Sequence, residues 1–116
     1  MAYDDLISRL LNDIPQIRPM IEEEMEWLEE NLPHVLFGIV VTPFIIKGLR
    51  GSKEVANIWN FLEQMAISED EKVQEVLVVS VLESLIVERD IIDFAKNMMG
   101  NRTKLLCEST EKAYGY

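Results

Sequence analysis

An all-α architecture is expected of this chain, on three observations. Apolar residues recur at helical rather than alternating spacing along most of its length. A helix-start signal, Ser68-Glu69-Asp70-Glu71, precedes a run of about fifteen residues without Gly or Pro. The one other β-branched stretch is broken by Gly38 and Pro43. With 116 residues and 48% apolar content, the chain is long enough for a single domain, residues 1–116. The expected arrangement is a compact bundle of five to seven helices around a buried central helix at about residues 70–87.

Taken in order, Tyr3 to Leu11 has Asp4 and Asp5 in a first turn, then Leu6, Ile7, Leu10 and Leu11 on one stripe, and Pro15 ends it. A second helix is expected from near Pro19 to about Asn31, since proline is tolerated in a first turn. Its apolar side is Met20, Ile21, Met25, Trp27 and Leu28, with Pro33 as its limit. Residues 35–46 read as strand or as helix; helical turns bent at Thr42-Pro43 fit the helical surroundings better. Ser52 is a candidate cap for a helix carrying Val55, Ile58, Trp59, Leu62, Met65 and Ala66, the i, i+3, i+4, i+7 pattern of a core stripe.

In the next helix the candidate capping box pairs Ser68 with Glu71. Val73 to Val87 is apolar on nearly every side, as a central helix requires, and too long for an ordinary strand. A further helix spans Asp90 to Met98, with Gly100 in a C-terminal cap position. The last runs from Thr103 to about Ala113 and carries Leu105, Leu106 and Ala113.

Charge is unevenly placed. The formal net charge is -10, and residues 1–33 alone contain nine acids against two bases. This balance disfavours nucleic acid or an anionic membrane as a direct partner and favours a basic protein. The densest cluster is Glu22, Glu23, Glu24, Glu26, Glu29 and Glu30. On one helix Glu22, Glu26, Glu29 and Glu30 share a face, and such like charges repel by a few tenths of a kcal/mol per pair, roughly. The bland reading is a solvated face; the sharper one is a recognition surface made of Glu22, Glu23, Glu26, Trp27, Glu29 and Glu30.

Other sites are better explained structurally. His34 is the single histidine, so neither a histidine metal site nor the Glu-x-x-His motif of di-iron bundles is available. Carboxylates from one helix do not converge on a cation from several segments, and no metal or other cofactor is expected. Cys107 follows Leu105-Leu106 and reads as a small buried residue. Ser80 and Ser84 read as packing residues and Trp59 as core. Gly48-Leu49-Arg50-Gly51-Ser52-Lys53 lacks Walker A spacing, and Lys47, Arg50 and Lys53 make a weak basic footprint. No catalytic residue is assigned, and the chain is not expected to be an enzyme. The start, Met1-Ala2-Tyr3-Asp4-Asp5, has no signal-peptide pattern, and a lone cysteine suits a reducing cytoplasm. The apolar run Val35 to Ile46 falls short of the ~20 residues that span a bilayer.

Two stretches carry a resemblance. Leu32-Pro33-His34-Val35-Leu36-Phe37-Gly38 is one. The other runs from Phe61-Leu62-Glu63-Gln64-Met65 through Ser68-Glu69-Asp70-Glu71 to Val78-Val79-Ser80-Val81-Leu82-Glu83-Ser84-Leu85. Together they resemble small helical bacterial proteins, some of which look like immunity partners of contact-dependent growth-inhibition or polymorphic toxins. The resemblance spans roughly residues 20–90 and rests on core and capping patterns. It departs at Gly38-Ile39-Val40, where that group has an acidic residue after the glycine. It implies a cytoplasmic immunity protein, a monomer or weak homodimer, that neutralises a cognate toxin with a basic surface, such as a nuclease. The rival expectation is a helical scaffold or adaptor acting through an apolar interface.

Overall fold

The computed structural model describes residues 1–28, 32–51 and 56–116. A 3-10 turn, Tyr3–Asp5, leads into α1, Leu6–Asp13, which buries Leu6, Ile7 and Leu10. Pro15 cannot continue that helix and instead opens a 3-10 turn, Pro15–Ile17, before α2, Arg18–Met25. The next element, α3, is an uninterrupted helix over Pro33–Gly51. Then come α4, Ala56–Ala66, and α5 over residues 71–85. Two more follow, α6 at Ile92–Met98 and α7 at Asn101–Ala113. Among the described residues there are seven helices and no strand. Residues 35–46 are therefore helical.

Helix α5 is the hub. Val73, Val76, Leu77, Val81, Leu82, Leu85 and Ile86 are fully buried, and α3, α4 and α7 pack around it. Helix α1 closes the core over α4, and Phe37 of α3 stacks on Phe61 of α4 with ring centroids 6.4 Å apart. The radius of gyration, 13.4 Å, matches the roughly 13 Å of a close-packed chain of this length.

Several local expectations are corrected. Helix α2 stops at Met25 rather than near Asn31: Glu26 takes the C-cap position and Trp27 lies in a turn. The cause is electrostatic. Glu22, Glu23 and Glu24 crowd the negative end of the helix dipole with no basic residue in the last turn. The helix is not interrupted at Thr42-Pro43. Phe37–Val41 forms wider π turns, in which the Thr42 amide donates to the Phe37 carbonyl. This widening directly precedes Pro43, which cannot donate to the Ile39 carbonyl. Helix α3 thereby reaches 19 residues with mean hydropathy 1.3, long and apolar enough to cross a bilayer by length and composition. Its inner face (Leu36, Phe37, Val40, Val41 and Ile45) nevertheless belongs to the common core.

The cap of α5 is Asp70, not Ser68: Asp70 Oδ1 accepts the Lys72 amide at 3.0 Å. Ser68 supports that cap, accepting the Asp70 amide and donating to the Met1 carbonyl at 2.6 Å. Gly100 is no left-handed cap; at φ -69° it is the N-cap of α7. The inward face of α7 is Thr103, Cys107, Thr110 and Glu111, while Leu105 is 59% exposed. The expected Ser52 cap and Val55 lie outside the described residues.

Candidate functional site

Helix α2 is held to the body by Ile21, its single fully buried side chain. That anchorage turns Glu22 and Glu23 to solvent and leaves Glu24 half-buried. Beyond the helix, Glu26 is exposed and Trp27 is 81% exposed. Four residues of the expected surface, Glu22, Glu23, Glu26 and Trp27, therefore gather at one helix end, with Glu24 beside them. Glu29 and Glu30 lie outside the described residues. Since α2 ends at Met25, the shared helical face extends only from Glu22 to Glu26. Arg18 Nη1 lies 3.2 Å from Glu22 Oε1, with both side chains more than half exposed, an arrangement worth about 0.5 kcal/mol at most. Among the described residues Glu23, Glu24 and Glu26 make no ion pair.

Beside this acidic end runs a feature the sequence did not reveal. A groove of about 620 Å³ separates α2 from the outer face of α3. Its apolar floor is Met20, Ile39, Val40, Pro43 and Phe44; Glu23 and Glu24 stand on one wall and Lys47 on the other. Gly48 and Gly51, three apart on α3, line it without side chains.

Several other polar groups are engaged in holding the fold. Arg50 Nε and Nη2 reach both oxygens of Asp90, at 3.2 and 3.0 Å, and Nη2 also reaches Glu88 Oε2 at 2.7 Å. The Arg50 side chain holds the Asp90 carboxyl below the usual range. Arg50 is thus committed within the chain, Lys53 lies outside the described residues, and of the three expected bases Lys47 faces the groove. The His34 Nδ1 meets the Tyr3 hydroxyl at 3.2 Å and its Nε2 lies 3.4 Å from Glu75 Oε1, joining the first turn to α3 and α5.

Glu111 is buried between Arg89 and Lys96. Burial pushes its carboxyl up, but the two cations outweigh that and the net shift is downward. Cys107 is fully buried and desolvation pushes its thiol up to about 11, the opposite of an activated nucleophile. Ser80 is buried and Ser84 exposed, and Trp59 sits in the core. Among the described residues no three His, Cys, Asp or Glu side chains are grouped to hold a metal ion.

Fold and surface together define a helical bundle that presents carboxylates and an indole beside an apolar groove. Residues 7–115 match the domain of unknown function DUF7674, and the chain belongs to that family. No curated protein and no solved structure matches it.

Proposed function

We propose that this chain works by binding rather than catalysis, as a cytoplasmic immunity protein that neutralises a basic toxin through the acidic end of α2. The observation that carries this reading is the exposed set Glu22, Glu23 and Glu26 beside Trp27, which is 81% exposed. Exposed tryptophan is expensive in water and is a common anchor of protein interfaces. The resemblance to immunity partners of growth-inhibition toxins supports the choice of partner. A toxin that cleaves RNA or DNA needs a cationic cleft, and carboxylates placed where phosphates would lie compete for it through charge-assisted pairs with Arg and Lys. The net charge of -10 adds long-range attraction that speeds encounter.

The test begins with the product of the neighbouring reading frame. Co-purification with it, and restored growth when it is toxic, are the expected results. The triple variant Glu22→Lys, Glu23→Lys, Glu26→Lys should weaken that complex by at least about tenfold and flatten its salt dependence. Because these side chains are exposed, its melting temperature should stay near that of the parent. Unchanged affinity in the triple variant would refute the assignment. A scaffold that self-associates through the apolar groove is the second reading, and the exposure of Ile39, 48%, favours it. Light scattering separates the two: a salt-insensitive dimer speaks for the scaffold, a monomer for the inhibitor.

A further inference from the structure

We propose that the groove between α2 and α3 seats an amphipathic, basic segment of the protein partner, its apolar side chains on the floor and its Lys or Arg side chains on Glu23 and Glu24. The inference rests on the binding role proposed above and says which surface gives that binding its specificity. A volume of about 620 Å³ falls within the few hundred to about 1,000 Å³ of sites that enclose ligand side chains. The outer part of the floor is unpartnered: Ile39 is 48% and Met20 38% exposed, while Val40 reaches back into the core. Methionine reshapes readily around an incoming apolar group.

Charge decides what sort of apolar segment fits. Glu23 and Glu24 lie in the C-terminal half of α2, where the helix dipole adds partial negative charge to theirs. An anionic ligand would meet repulsion on that wall, and so would an acidic peptide. A basic segment gains there, while Lys47 opposite repels its cations and so fixes which edge faces α2. A helix laid in the groove meets all three features: apolar anchors one turn apart on its lower side and cations on one flank. The space beside Gly51, which lines the groove, is open: a Cβ there would meet no atom within 4 Å.

The probe is a synthetic peptide of about 14 residues, with leucines at helical i, i+3, i+7 spacing, lysines along one flank and alanine or glutamine elsewhere. Its control carries serines for leucines at equal charge. Expected are amide shifts concentrated on Glu23, Glu24, Ile39, Val40 and Phe44, and binding at least about tenfold tighter than the control. Ile39→Lys, at a position open to solvent, should abolish that advantage; Met20→Lys is the substitute if the first variant melts early. Equal binding of both peptides, indifferent to Ile39→Lys but lost in the Glu22, Glu23, Glu26 triple variant, overturns the groove and leaves the acidic surface standing. Leucine-dependent groove binding, with the cognate complex untouched by Glu22→Lys and Glu26→Lys, two positions outside the groove lining, instead removes the acidic-surface reading alone. No binding of either peptide, or groove shifts that depend on protein concentration without peptide, overturns the groove proposal in favour of an empty or self-associating face.

Discussion

The carboxylate of Glu63, on α4, occupies the N-terminus of α7, where backbone amides would otherwise lack partners. It accepts the Arg102 amide at 3.1 Å, the Thr103 amide at 2.9 Å and the Thr103 hydroxyl at 2.8 Å. Burial alone would raise its carboxyl; the Thr103 and Arg102 donors outweigh burial and pull it down. Gly100 makes room for it, because a Cβ there would stand 2.5 Å from Glu63 Oε1. Glu63→Ala should therefore cost about 1–3 kcal/mol in urea unfolding, the range for loss of a charged cap. Gly100→Ala should cost roughly 1 kcal/mol or more by displacing that carboxylate. Because both act on one contact, the double variant should cost clearly less than the two single losses combined. Additive losses would show that the glycine serves some other purpose. Residue spacing cannot disclose this pair, since the acid and the helix it caps are 39 positions apart at Arg102. Local rules point instead to a C-cap for the preceding helix.

Helices α3 and α5 meet through their wide turns, Phe37–Val41 and Val76–Leu82. At the junction the buried Thr42 hydroxyl donates to the Ser80 carbonyl at 2.6 Å. Thr42→Val keeps the shape and removes the donor, so a loss of about 1–2 kcal/mol is expected. Hydrogen exchange should quicken in both helices together if the bond couples them; a loss confined to α3 would argue against coupling. How legible these elements are in sequence follows from their chemistry. Helix α5 has an acidic cap and no breaker, so its position and burial can be read directly. In α3, Gly38 and Pro43 obey rules written for regular helices, and a π turn escapes those rules by shifting the hydrogen-bond register. The end of α2 is misread for a related reason. Periodicity continues past Met25, whereas the acids at its C-terminus oppose the dipole. The acidic surface was visible as composition; the groove, formed by two helices from different parts of the chain, was not.

For the molecule as a whole, the carboxylates that hold it together and those offered to a partner are different groups. Glu63, Asp70, Asp90 and Glu111 all have carboxyls held below their ordinary values. For Asp70 the main cause is the Tyr3 amide, 2.8 Å away, followed by the Lys72 amide. A depressed native value means the unfolded chain binds protons first. The stabilisation is then complete at neutral pH, begins to fade as pH falls towards the unfolded carboxylate value of about 4, and disappears below the native values. Melting temperature should thus be flat near neutrality and decline below roughly pH 5. Glu111→Gln should blunt that decline while lowering stability at neutral pH, since Arg89 and Lys96 lose their anionic partner. Alkali acts through Cys107, with Tyr3, Lys96 and Tyr114 also raised above their ordinary values. The Cys107 thiol is pushed up to about 11, so its stabilisation, present below the ordinary thiol value, is lost as pH rises towards 11. Cys107→Ala should lessen that alkaline decline without abolishing it. A melting profile unchanged by Glu111→Gln at every pH would mean that the buried carboxylate carries no share of the acid response.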